Sequence, residues 1–433
     1  MSILQSLEKA YVVVVLFFLT GAGVAGNVGE GGATGRAESQ PWENIGRLIV
    51  CVTLVPLFVI HWKRVLGGVR QSSWLIALCS VAIASTVWSY DPRFTLRHCI
   101  FLLIVTLFGI YIATCFNWDE QINLFGWLLM FVVLSSACVA IFIPSYGLSH
   151  DAHWGAVKGI YPQKNTMSAM MVFAILTFVL AKPKAMPNWL RNSTLMGAGI
   201  LLILSGSATS LVALMFCIAL YPVLYLLRFS KRNTLPLWVP LVPIFAMGAS
   251  LLIANFDLVA EAVGRNSTLT SRIPMWTEVL NAISRRPWFG YGYDVFWSEW
   301  SSDLAKVIYV LNNWRPPHAH NGYLDILLSL GVVGLLIFAG GLVTNVWRAG
   351  RMFRANEIHG AKWPLFFLLF FAVLNLGESC ILRIMSFFWI PFVAIYVSLA
   401  LQEVEERQLA GARHAVRADD IADANGIVPE FQT

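Results

Sequence analysis

Two histidines and an asparagine, His318, His320 and Asn321, stand in the stretch "PPHAHNGYLDILLSLG", directly ahead of a long apolar run. A neutral imidazole can take a proton from a hydroxyl near neutral pH. Pro316 and Pro317 suit a helix entry, where their missing N–H groups would be unpaired anyway. A helix is therefore expected from His318 or soon after. Its N-terminus attracts anions through free N–H groups and dipole. The same dipole disfavours imidazolium, which leaves a histidine neutral and able to act as a base. The residues just upstream supply Arg265, Arg272, Arg285, Arg286 and Arg315. Arginine forks hold phosphate oxygens bidentately. Histidine beside arginine at a membrane surface points to a lipid phosphate or pyrophosphate. Each piece also has a plainer reading: histidine as an interfacial anchor, arginine on lipid headgroups, Asn321 as a helix cap.

The elements that must position these residues follow from composition. The chain has 433 residues, 58% hydrophobic and 12% charged. Soluble domains carry about twice that charged fraction. Apolar stretches of helix-spanning length recur throughout, without the alternation a membrane barrel needs. The expected fold is all-α and polytopic, with about twelve membrane helices. Their expected cores are 10–26, 45–60, 73–88, 99–115, 121–143, 166–181, 194–206, 209–227, 235–255, 320–347, 363–380 and 385–402. The N-terminal helix reads as uncleaved, because its leading segment has no net positive charge and its apolar stretch is long. Residues 403–433 read as a polar, partly disordered tail.

Charge sets the expected orientation. The net charge is +6, but the basic residues sit in short clusters between apolar segments, which argues for membrane topology and against nucleic acid. The Lys/Arg-dense loops 61–72, 182–193, 228–233 and 348–362 share one side, expected to be cytoplasmic along with both termini. Residues 256–319 then form one large outer loop. Within it Ile273, Trp276, Val279, Leu280 and Ile283 follow helical spacing, as expected of an amphipathic helix lying at the outer interface. Seven cysteines, odd in number and without a CxxC, read as buried apolar residues.

The stretch "HAHNGYLDILLSLGVVGLLIF" resembles the signature of the O-antigen ligase and polymerase superfamily, in which a His-Asn pair precedes an apolar helix. In family order, "VWSYDPRFTLRH" resembles an outer turn and "GIYPQKNTMSAM" a Lys-Asn segment before a middle helix. "GRNSTLTSRIPMW" and "RRPWFGYGYDVF" resemble the start of the large loop, and "ESCILRIMSFFWIPFVAIY" the closing helix pair. Together they cover most of residues 70–400, and the wording is most similar to the exopolysaccharide polymerase branch. The resemblance implies a GT-C-like membrane domain over residues 1–402. It also implies glycan transfer from undecaprenyl pyrophosphate to an acceptor hydroxyl, without cofactor or metal. It places the essential histidine at His320 and the loop arginine at Arg272, with Arg265 as second candidate. One departure stands out: many relatives carry a Ser-Arg pair where this chain has Ser207 and Ala208. Either Lys164, the best candidate, or another arginine supplies that charge, or the donor is held differently. His318, Asn321 and Arg315 complete the expected substrate-binding set.

The resulting expectation is an inverting, metal-independent glycosyltransferase in the bacterial inner membrane, with a periplasmic site. No DxD-like pair or tight His/Asp/Glu cluster is visible in the outer loops, which fits that expectation. A polymerase would join lipid-linked repeat units into surface or exopolysaccharide, with a chain-length regulator and an export complex as candidate partners. A ligase would move glycan to lipid A core or another acceptor. A transporter of lipid-linked oligosaccharide is disfavoured, because the helix cores carry few ionisable residues.

Overall fold

The computed structural model describes residues 3–21, 41–150, 155–228, 272–298, 303–312, 316–355, 359–383 and 386–424. Among these residues every regular element is a helix, apart from an isolated bridge between Leu148 and Val157. In chain order they are α1 (Ile3–Leu19), α2 (Pro41–Ile60), α3 (Trp62–Arg70), α4 (Ser73–Ala84), α5 (Pro92–Cys115), α6 (Trp118–Phe142) and α7 (Lys164–Leu176). There follow α8 (Asn188–Ser205), α9 (Ala208–Arg228), α10 (Arg272–Arg285), α11 (Asp303–Asn312), α12 (Gly322–Ala355), α13 (Trp363–Leu374) and α14 (Trp389–Ala424). Local chemistry sets several starts. Asp91 caps α5 by accepting from the Phe94 N–H at 2.9 Å, with Pro92 at the first helical position. Asn117 and Glu120 cap α6 reciprocally, both bonds at 3.0 Å.

Five of the described helices are long and apolar enough to cross a membrane, or six if the bent pair α2–α3 counts as one. The expectation of about twelve is not reached on that criterion. Ser73–Val87 and α13 are apolar but short, and the expected helix 235–255 lies outside the described residues. The outward faces are apolar: Ile203 is 72% and Phe142 78% exposed. Such faces suit lipid, whereas α13 is buried on every side and forms the centre of the bundle.

Three boundaries differ from expectation. The basic stretch 61–72 is not a loop but contains α3, turned 90° from α2. The expected helix 363–380 stops at Leu374, and the chain turns through Asn375–Arg383. The tail after 402 continues α14 as helix to Ala424. Arg348 meets Glu403 at 2.7 Å, so the base of α12 holds the start of this extension.

The helix that follows the histidines is broken. Gly331 has φ 66° and ψ −164°, a backbone region open essentially to glycine alone. A break strands backbone groups, which an apolar environment tolerates only where protein satisfies them. Residues 287–292 do so. The N–H groups of Val332 and Val333 donate to the carbonyls of Pro287 (2.8 Å) and Trp288 (3.2 Å). The N–H groups of Tyr291 and Gly292 donate to the carbonyls of Leu328 (2.8 Å) and Ser329 (3.1 Å). A Cβ on Gly331 would overlap the Trp288 carbonyl, so close approach also requires glycine here.

The segment ahead of α12 also has its own core. Met275, Val279 and Ala282 of α10, Ala305 and Ile308 of α11, Tyr291, Val295 and Phe296, and Leu328 of α12 pack together. The amphipathic periodicity of α10 is real, but its apolar face packs mainly on protein. Leu280, expected on that face, is 53% exposed.

Candidate active site

The site is built around the strap Pro316–Asn321. The prolines do not open α12, as the sequence suggests; the helix begins at Gly322. Asn321 caps it, its Oδ1 accepting from the N–H groups of Tyr323 (3.0 Å) and Leu324 (3.2 Å), while Nδ2 donates to the Leu376 carbonyl at 3.3 Å. Its amide is thus occupied at both ends, and the plainer of its two readings is the one observed. His320 lies just before the cap with φ 50°, left-handed for a non-glycine residue. Such strain persists only where the surroundings over-determine it.

Here they do. The half-buried Asp325 carboxylate accepts from the Ala319 N–H at 3.1 and 3.2 Å, from Trp297 Nε1 at 2.8 Å, and from the Ser379 hydroxyl. Trp276 Nε1 of α10 donates to the Ala319 carbonyl at 2.8 Å. Arg383 Nη2 donates to the Pro317 carbonyl at 3.1 Å. The segment ahead of α12, α12 itself and the turn after α13 therefore all grip the same strap.

Both imidazoles are buried, with ring centroids 4.1 Å apart. The His320 N–H donates to His318 Nδ1 at 3.1 Å. A neutral His318 must then carry its ring proton on Nε2. His320 Nδ1 faces Glu378 Oε2 at 3.8 Å. Glu378 comes from the turn after α13. Its Oε1 accepts from Asn165 Nδ2 at 2.7 Å, and Asn165 Oδ1 accepts from the Ser207 hydroxyl at 2.9 Å. Asn165 is in the first turn of α7, directly after Lys164, and Ser207 immediately precedes α9.

The structure thus brings His318, His320, Asn321 and the Lys164–Asn165 helix start to one place. Arg272 opens α10, one turn before Trp276. Arg265 and Arg315 lie outside the described residues. The expectation of no tight His/Asp/Glu cluster is corrected: His318, His320 and Glu378 each offer a ligand atom, all within 4.8 Å of one another. Sequence reading missed Glu378, because it sits in what reads as the end of an apolar helix. The usable signal was an ionisable residue at the rim of an apolar run, which in a membrane protein marks a site by default. It also missed Asp325, four residues past Asn321 on the helix itself.

Residues 193–339 match the family model for O-antigen ligase, a span running from α8 through the histidine strap to beyond the break in α12. The chain is similar to the O-antigen ligase family over that span. It is 25% identical over 308 residues to the exopolysaccharide production protein ExoQ of Rhizobium meliloti, covering 67% of this chain and 68% of that protein. It is 21% identical over 425 residues to a ComP-specific O-oligosaccharyltransferase of Acinetobacter baylyi, covering 92% of this chain and 72% of the relative. A putative polysaccharide ligase of Rickettsia conorii is 30% identical over 122 residues, 26% of this chain. The matched span contains the strap but ends before Glu378.

Proposed function

We propose that the protein is a polymerase that joins undecaprenyl-pyrophosphate-linked oligosaccharide repeat units into surface or exopolysaccharide. The observation that carries this reading is a buried histidine, held in a strained backbone beside a carboxylate, in a chain similar to an exopolysaccharide production protein. The acceptor hydroxyl attacks the anomeric carbon. Its proton passes to Nε2 of His320 as the new C–O bond forms. The bond from the anomeric carbon to phosphate breaks, and its electron pair leaves with the pyrophosphate. Attack opposite the leaving group inverts the anomeric centre. Arg272, Arg265, Arg315 and Lys164 offset the charge that builds on the pyrophosphate. The reaction takes place at the periplasmic face of the inner membrane, within a GT-C-like arrangement of about twelve helices.

We read the transfer as metal-independent despite the His–His–Glu cluster. A cation needs a free lone pair from each imidazole. The Nδ1 lone pair of His318 is already engaged by the His320 N–H, and its Nε2 then carries the proton.

The match over 92% of the chain to an oligosaccharyltransferase supports a second reading, transfer to a different acceptor. One assay separates the two. Purified protein receives only lipid-linked repeat units, in excess EDTA. A ladder of lengthening chains is expected. Consumption of donor only after another acceptor is added would establish the second reading. Activity restored only by Mg²⁺ or Mn²⁺ would refute metal independence.

A further inference from the structure

We infer that Glu378 is a positioning residue: it holds His320 from the Nδ1 side, and the line Glu378–Asn165–Ser207 ties that hold to the helix start that bears Lys164. The inference rests on the proposal that His320 takes the acceptor proton. With an Nδ1–H turned to the carboxylate, the neutral ring carries its lone pair on Nε2, the atom that takes the proton in the proposed reaction. After proton transfer the ring is an imidazolium, and the adjacent carboxylate offsets its charge, as in other acid–base pairs with a third, orienting group. The separation of 3.8 Å is beyond a hydrogen bond, and such catalytic contacts often tighten only when substrate binds.

The arrangement is built rather than incidental. The Gly322 N–H donates to the carbonyls of both Asn375 (2.8 Å) and Glu378 (3.1 Å). The start of α12 and the turn bearing Glu378 are thus bonded directly, main chain to main chain. Asn375, fully buried, shapes that turn: its Oδ1 accepts from the N–H groups of Cys380 (2.8 Å) and Ile381 (3.1 Å). A Cβ on Gly322 would overlap Asn375 Oδ1, so glycine permits this approach. The carboxylate itself cannot swing freely, because Asn165 holds its second oxygen. Asn165 in turn is fixed by Ser207, at the junction where relatives carry the Ser-Arg pair. Orientation of the base and the proposed seat of the leaving group therefore share one line of side chains.

A purely structural role for Glu378 would be to accept the Asn165 hydrogen bond. Glu378→Gln keeps an oxygen for that bond and keeps the shape, but removes the charge. With purified full-length protein and a lipid pyrophosphate donor, this variant is expected to lose about 100-fold in kcat with donor KM changed less than about 3-fold. Glu378→Asp should recover part of the loss. Asn165→Ala should also lower kcat. In a His320→Ala background, adding Glu378→Gln should change the residual rate by less than about 2-fold, because the two act as a unit. A kcat near wild type for Glu378→Gln would overturn the inference while leaving His320 as the base. So would an equal loss with and without His320. Near-normal activity of His320→Ala alone would instead refute the proposed function on which it rests.

Discussion

At the scale of single residues, the histidine strap assigns unequal roles to its two imidazoles. His318 uses Nδ1 to accept a backbone N–H, whereas His320 faces the carboxylate from a left-handed backbone. Removing a general base costs about 10²- to 10⁴-fold. His320→Ala is expected to abolish polymer formation while the protein still inserts and accumulates; His318→Ala should lose less. Polymer yield and membrane protein level in the same cells check both. A second expectation concerns Lys164. It stands beside Asn165, and Ala208, where the resemblance implies an arginine, brings no charge of its own. Lys164→Ala should lower activity about 100-fold, the scale of losing one contact to a developing anion. Ala208→Arg should partly restore it in the same assay. The two histidines were legible in the sequence because polar residues ahead of an apolar run need a reason. Glu378 was not, since 58 residues separate it from His320 and only the turn at Asn375 folds it back.

At the scale of elements, the helices themselves were legible from apolar length, whereas the caps Asp91 and Asn117, which start α5 and α6 ahead of the expected cores, were not read. The break in α12 was not. Nothing near Gly331 signals it: the run is apolar and has no proline. Its cause is non-local, an approach by Trp288 that leaves no room for a side chain. Gly340 and Gly341 also face an aromatic neighbour, Trp74 of α4, as expected of small residues between helices. Gly331→Ala should therefore lower the thermal midpoint in detergent, by the equivalent of roughly 1–3 kcal/mol for strain alone. It should also impair transfer, since the histidines sit at the far end of the displaced half-helix. Gly199→Ala is the control. That site is helical with open space around it, and alanine there should be neutral or stabilising. Equal midpoints for the two variants would refute the account of the break.

At the scale of the whole molecule, contacts sort the connecting segments into two ends. Lys9 meets Glu120 at 2.7 Å, Asp119 meets Lys184 at 2.7 Å and His359 at 2.9 Å, and Trp118 donates to Gln402 at 3.2 Å. Lys184 and His359 fall in basic stretches that charge placed on one side with both termini, whereas the acidic stretch Trp118–Glu120 that joins them was not among those stretches. At the other end Trp88 donates to the Phe289 carbonyl at 3.1 Å, His98 meets Asp294 at 2.7 Å, and Asn165 meets Glu378. The grouping was legible because basic clusters alternate with apolar runs. The separate outer core was not, because it joins α10, α11 and α12 across long sequence distances. In a cysteine-free background, Ser193→Cys should resist a membrane-impermeant thiol reagent in intact spheroplasts, and Ser284→Cys should label. The reverse pattern would place the histidines on the cytoplasmic side and remove the case for a translocated donor.

The mended break in α12 also bears on biogenesis. Residues 287–292 act as a splint for a helix that follows them in the chain. Synthesis runs from the N-terminus, so the splint exists before the element that needs it. Until the two dock, the groups around Gly331 have lost those partners, and each unsatisfied group in hydrocarbon costs several kcal/mol. The break at Gly331 and the docking of residues 287–292 are accordingly expected to form together, since each supplies the other's backbone partners.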